Sequence, residues 1–103
     1  MSHPSKIKGN RFEREIVKLC DQYGIKAKRS WGSDGRSLGL PAEVDVVIGD
    51  DLRVQAKIRK RIATWIMPSD EVDAQVVRAD RGVPYIIMRL EDYLDEIKEK
   101  GKR

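Results

Sequence analysis

Residues 44–58 read VDVVIGDDLRVQAKI, and this stretch decides the fold. Gly49-Asp50-Asp51 is a turn sequence between two β-rich runs, 44–48 and 52–58. With a three-residue turn, Ile48 lies opposite Leu52 and Asp45 lies opposite Gln55. Side chains alternate along a strand, so Asp45, Arg53, Gln55 and Lys57 share one face. Val44, Val46, Ile48, Val54, Ala56 and Ile58 form the other face, an apolar surface suited to a core. A four-residue turn would break this register.

Outward from the hairpin, the chain alternates between helix and strand signals. Phe12, Ile16, Leu19 and Tyr23 recur at helical spacing over residues 10–23, and Gly24 supplies the stop. Residues 25–30 are a short candidate strand. Residues 31–41 (WGSDGRSLGLP) hold three glycines and a proline and read as a long loop. Beyond the hairpin, 63–67 is a third strand candidate after the turn, and Ser69 or Asp70 can cap a helix running to about residue 80. Residues 83–90 (VPYIIMRL) read as an apolar strand buried at its middle, with Tyr85 in the core alongside Phe12 and Tyr23. Residues 91–100 read as a helix, acidic at its start and basic at its end. The expected order is α-β-β-β-β-α-β-α, a mixed β-sheet flanked by helices in a single α/β domain over 1–103. Residues 1–8 read as a flexible basic lead, and His3 within them as inert.

The polar face of the hairpin carries the chemistry. A hard cation such as Mg²⁺ takes oxygen ligands and usually keeps several waters. Asp45 offers a charged oxygen, Gln55 a neutral one, and the Ala56 backbone carbonyl a third. Lys57 beside such an ion could position or deprotonate a water, or stabilise charge developing on a phosphoryl group. A further carboxylate is available from the first helix. Val17 and Cys20 widen its apolar stripe on the side of Glu13, which therefore lies nearer the helix–sheet border than Glu15. The same residue types also suit an ordinary exposed cross-strand pair of small energetic weight.

Composition narrows the field. With 103 residues, 40% of them hydrophobic and 37% charged, the chain fits one globular domain with a modest core. The lone Cys20 excludes an intramolecular disulfide or a cysteine zinc cluster and reads as a small packed hydrophobe. No apolar run approaches the roughly 20 residues of a membrane helix, and no secretory signal opens the chain. A cytoplasmic protein is expected, associated with the nucleoid or, if viral, in the host cytoplasm. The net charge of +4 is unevenly spread. Four positive charges fall within residues 57–61, and Lys26, Lys28 and Arg29 form a second cluster. A basic face of this kind suits a polyanion such as nucleic acid, and equally a solvated surface. Arg59, Lys60 and Arg61 follow the chemical strand directly and are placed for phosphate contacts. Trp31 suits either stacking on an unpaired base or anchoring its loop. Trp65, with Ile62, Ile66 and Met67, reads as core or as a dimer interface.

Four blocks in the first 60 or so residues resemble the archaeal Holliday-junction resolvases. Lys8-Gly9 followed by Phe12-Glu13-Arg14-Glu15-Ile16-Val17-Lys18-Leu19 is similar to their KG, gap, ERE and apolar helix. Arg29-Ser30-Trp31-Gly32-Ser33 resembles RS-x-GS, and Val44-Asp45-Val46-Val47 their VD strand. Gln55-Ala56-Lys57 stands where they carry E-x-K. The resemblance implies a restriction-endonuclease-like fold of the PD-(D/E)XK superfamily and a homodimer cutting branched DNA with Mg²⁺, or Mn²⁺ in its place. It puts Glu13, Asp45, Gln55 and Lys57 at the catalytic positions, with Glu13 and Asp45 as metal ligands and Lys57 activating water. Ser30 or Ser33 would contact DNA near the cut, with Lys8 and Arg29 from the matched blocks beside them. Gln55 departs from the resolvase glutamate and resembles the Q-x-K variant of Mrr-type nucleases, and Glu43 is positioned to compensate. Two alternatives stand beside a junction resolvase. One is a nicking, restriction-like or homing endonuclease on duplex DNA, and the other is a catalytically inactive DNA-binding module.

Overall fold

A computed structural model describes residues 4–101, apart from the side chains of Ser5 and Ser33. It divides into two compact units, Met1–Ile58 and Arg59–Arg103.

The first unit opens with helix α1, Pro4–Gln22. Residues 4–8, expected as part of a flexible lead, belong to this helix. Proline fits a first helical turn, where its missing N–H is not needed. The rest of the expected lead, residues 1–3 with His3, lies outside the described residues. The helix ends in a Schellman motif. Gly24 takes φ +71°, its N–H donates to the Asp21 carbonyl at 3.0 Å, and Ile25 N–H donates to the Cys20 carbonyl at 2.9 Å.

Strands β1 (Ala27–Arg29), β2 (Val46–Ile48) and β3 (Leu52–Val54) form an antiparallel sheet in that spatial order. Val46 pairs with Val54, Val47 with Arg53 and Ile48 with Leu52, the register of a three-residue turn. Gly49, the first turn residue, has φ +67°, a left-handed conformation that costs glycine little. α1 packs on β1 and β2. Ile16 and Cys20 from the helix and Val44, Val46 and Ile48 from the sheet are the buried apolar core. Arg53, Gln55 and Lys57 are exposed while Val54, Ala56 and Ile58 are half-buried, as alternation requires. β3 stops at Val54, and residues 55–58 continue outside any regular strand.

The loop between β1 and β2 winds through two 3₁₀ turns, Trp31–Ser33 and Gly35–Leu38. Gly35 is buried beneath it: its N–H donates to Ala42 and its carbonyl accepts from Leu40. A Cβ at this position would overlap the Pro41 carbonyl oxygen and press on Val44 Cβ at 2.9 Å.

The second unit contains a 3₁₀ turn, Thr64–Ile66, strands β4 (Ala74–Val77) and β5 (Tyr85–Met88), and helix α2, Leu90–Gly101. The strand expected at 63–67 is the 3₁₀ turn, and the helix expected at 70–80 is mostly turn and β4. Ser69 does make a cap-like bond, with Glu71 N–H donating to its Oγ at 3.3 Å, but this closes a turn only. The β-branched pair Val76-Val77 then pairs with Ile86 and Tyr85, and cross-strand pairing overrides the weak helix signal. Parallel pairing needs a crossover between strands. Without that helix, β4 and β5 meet as an antiparallel hairpin, so the described strands form two antiparallel sheets in place of one mixed sheet. Tyr85 and Ile86, expected in the core, are each 65% exposed, and Trp65 is 70% exposed. α2 is acidic in its first turn and basic in its last, and its Leu94 is fully buried. Two helices with two small antiparallel sheets make the chain α/β, consistent with a restriction-endonuclease-like fold. No helix among the described residues is long and apolar enough to cross a membrane.

Candidate active site

Asp45 stands where β2 and β3 leave their common register. Its N–H donates to the Val54 carbonyl at 2.9 Å, one residue out of step with the Val46–Val54 pair. A slip of this kind locally ends a ladder and re-aims a side chain. The Asp45 carboxylate reaches past Gln55, and the Ala56 N–H donates to its Oδ2 at 2.8 Å. Asp45 therefore grips the amide beyond the residue that simple pairing places opposite it. It is only 8% exposed.

Glu13 is the second buried acid, 4% exposed on α1. Arg29, the last residue of β1, donates to its Oε1 from Nε at 3.4 Å and from Nη2 at 3.3 Å. The next residue, Ser30, serves the other acid. Its N–H donates to the Asp45 carbonyl at 2.9 Å and its hydroxyl to the same oxygen at 3.1 Å. Ser30 is itself 2% exposed, so the hydroxyl expected to meet DNA is directed into the protein. Two adjacent residues thus tie Glu13 and Asp45 to one end of β1.

The other expected residues take different positions. Gln55 and Lys57 are exposed in the stretch after β3, outside any regular strand, and Ala56 between them is half-buried. Glu43 is exposed and shares a shallow cavity of about 320 Å³ with Arg53 and Gln55. Lys8 is exposed on α1. Arg59, Lys60 and Arg61 are exposed and belong to the second unit. The Ser33 side chain lies outside the described residues. Trp31 is 84% exposed, which favours a free ring over a loop anchor.

A larger cavity, of about 880 Å³, opens beside β1, away from Asp45, Gln55 and Lys57. Arg14, Lys18, Lys26, Lys28 and Arg29 line it with Asp21 and Asp50, over an apolar floor that includes Val17, Leu40 and Val47. Arg29 is its link to Glu13.

The Arg36 side chain donates to Asp34, with help from its own backbone N–H, and holds the Asp34 carboxyl below the usual range. The same pairing raises Arg36. Burial pushes the Cys20 thiol up, as expected for a packed, unreactive cysteine.

The donor chemistry fits a hard divalent ion. No group of three or more His, Cys, Asp or Glu among the described residues could hold a metal. Mg²⁺ is ordinarily held by one or two carboxylates and keeps waters for the rest of its shell. Glu13 and Asp45 would supply that number, and the Gln55 amide and Ala56 carbonyl would be the neutral oxygens. One N–H on Asp45 leaves its carboxylate further lone pairs for a ligand.

Sequence pattern missed two contacts, Arg29 with Glu13 and Asp45 with Ala56. The first joins residues 16 apart and the second residues 11 apart, so neither has a local signature.

Comparison with known proteins supplies the remaining constraint. Neither curated proteins nor solved structures gave a match. The family model described as archaeal Holliday junction resolvase (Hjc) matches residues 4–99, running through both compact units. A match over nearly the whole length, with the site residues in its span, shows that the chain belongs to the archaeal Holliday junction resolvase family.

Proposed function

We propose that the protein is a divalent-metal-dependent endodeoxyribonuclease that resolves four-way DNA junctions as a homodimer in the cytoplasm. The observation that carries this reading is the pair of buried acids, Glu13 and Asp45, held by the last residue of β1 and the residue after it within a resolvase-family chain. The family model crosses the boundary between the two units, which supports reading residues 1–103 as one nuclease domain.

In this reading Glu13 and Asp45 hold Mg²⁺, or Mn²⁺ as a substitute, with Gln55 and the Ala56 carbonyl as neutral donors in a Q-x-K variant of the site. The bound ion supplies Lewis acidity, neutralising the scissile phosphate and acidifying the attacking water. Lys57, exposed and two residues past Gln55, positions or deprotonates that water. Ser30 orients Asp45 through its carbonyl. Lys8, Arg29, Ser33, Arg59, Lys60 and Arg61 contact phosphates, which fix register without reading sequence. Glu43, beside Gln55, is placed to add negative charge where the usual glutamate is lacking. The exposed Trp65, Val76, Tyr85 and Ile86 support a homodimer, because a second copy would remove their surface from water.

The test is cleavage of a labelled four-way junction beside matched linear duplex, in Mg²⁺ and in Mn²⁺, with Lys57→Ala as control. Paired symmetric cuts in the junction alone, lost in the variant, are expected. Cutting of both substrates keeps the site and replaces the resolvase with a duplex-acting nuclease of nicking, restriction or homing type. Tight binding without cutting in either metal leaves an inactive DNA-binding module, and the two-carboxylate donor set with Gln55 is what favours that second reading.

A further inference from the structure

The Arg29–Glu13 pair differs from the way Asp45 is held. Asp45 accepts from a neutral backbone amide, whereas Glu13 meets a full positive charge. Arg29 does not form a fork on the carboxylate: both of its donors converge on one oxygen, at 3.4 and 3.3 Å. Charge-assisted bonds of full strength run about 2.7–2.9 Å, and bidentate forks use both oxygens. Arg29 by itself therefore meets the Glu13 charge at one oxygen only. The Arg29 side chain is 28% exposed and borders the 880 Å³ cavity, so space to withdraw adjoins it. A carboxylate as buried as Glu13 needs a partner for its charge. A guanidinium and a divalent ion serve that need alternately, since they repel each other at short range.

We propose that Arg29 is a resident counter-cation of Glu13, a positioning residue that orients the buried carboxylate until a divalent ion takes its place. The inference rests on the nuclease reading of the site. Arg29 then sets how weakly the DNA-free protein binds metal. The other charges of the cavity, Arg14, Lys18, Lys26 and Lys28 against Asp21 and Asp50, leave it net positive, which disfavours withdrawal unless an anion such as a DNA phosphate lies there. Metal loading is thereby weak until substrate arrives.

The experiment uses the isotope-labelled full chain titrated with Mg²⁺ and no DNA. Two NMR signals are followed: Arg29 Nε–H, which reports the ion pair, and Ala56 N–H, which reports Asp45. Both are expected to move with one midpoint, Arg29 Nε–H towards the position of an exposed arginine. In parallel, calorimetric Mn²⁺ binding is expected to be about tenfold tighter in Arg29→Gln, where the competing charge is gone. Arg29→Lys keeps the charge and is expected to bind as wild type does. An Arg29 signal that stays put while Ala56 moves overturns the exchange, as does an Arg29→Gln protein that binds no tighter. If neither signal responds to Mg²⁺, the metal site itself is wrong, and the nuclease reading falls with it. The measurement on the unaltered chain decides the matter even if Arg29→Gln fails to fold.

Discussion

The Ala56 N–H donates to Asp45 Oδ2 at 2.8 Å, so a candidate metal ligand also anchors the segment after β3 that carries Gln55 and Lys57. Its structural and chemical parts are separable. Asp45→Asn keeps an oxygen acceptor for Ala56 and removes the charge. It is expected to abolish cleavage while changing stability by less than about 1 kcal/mol. Asp45→Ala removes the acceptor as well and leaves a half-buried N–H unpaired, at a cost of about 1–3 kcal/mol. Denaturant unfolding of the two variants beside a junction-cleavage assay checks both statements. Equal destabilisation would show that the hydrogen bond contributes nothing.

Gln55 is exposed, so its substitution tests charge alone. Gln55→Glu is expected to tighten divalent-ion binding by about tenfold, a third carboxylate adding attraction near the protein surface. Unfolding stability should change by less than about 0.5 kcal/mol. Calorimetric titration with Mn²⁺ in parallel with thermal unfolding reads both. An unchanged affinity would place residue 55 outside the metal's reach.

The loop between β1 and β2 closes over Gly35, which has no room for a side chain. Gly35→Ala is expected to cost about 3 kcal/mol or more, because its methyl group meets backbone that cannot move aside. Gly49→Ala meets open space and suffers only from its positive φ, at about 1 kcal/mol. Chemical denaturation should rank the two in that order. The reverse order would mean that the loop yields easily.

The same loop should loosen in acid. Asp34 accepts from the Arg36 side chain and backbone N–H, and its carboxyl lies below the ordinary range for that reason. A lowered folded value contributes order that is complete above the unfolded carboxylate value and is lost as pH falls through the folded one. The Arg36 amide is therefore expected to stay protected near neutrality and to become mobile only in strong acid. Its chemical shift followed against pH reports this directly. A midpoint at the ordinary aspartate value would contradict the pairing.

The parts of the fold legible in the sequence were those with a local period. Alternation in 44–58 and the Gly49 turn give the β2–β3 register, because a slip of one residue would turn the apolar set outward. The stripe of α1 singles out Glu13 as the buried acid, and it is buried. What could not be read depends on distant partners. Residues 70–80 carry a plausible cap at Ser69, and only pairing with β5 makes β4 a strand. Residues 4–8 lack an apolar stripe and still extend α1. Ser30 ends the candidate strand 25–30 in sequence with nothing local to mark it as buried, and its burial follows from the place of Asp45 beside it.

Arg29 and Ser30 serve two different acids from consecutive positions. Successive residues of a strand face opposite ways, so inserting or deleting one residue between Gly24 and Ser30 would exchange their clients and leave both acids unserved. Side chains elsewhere in this segment can drift over generations, but its length cannot. Among descendants of this gene, substitutions should accumulate between α1 and the site, while insertions and deletions there should be purged.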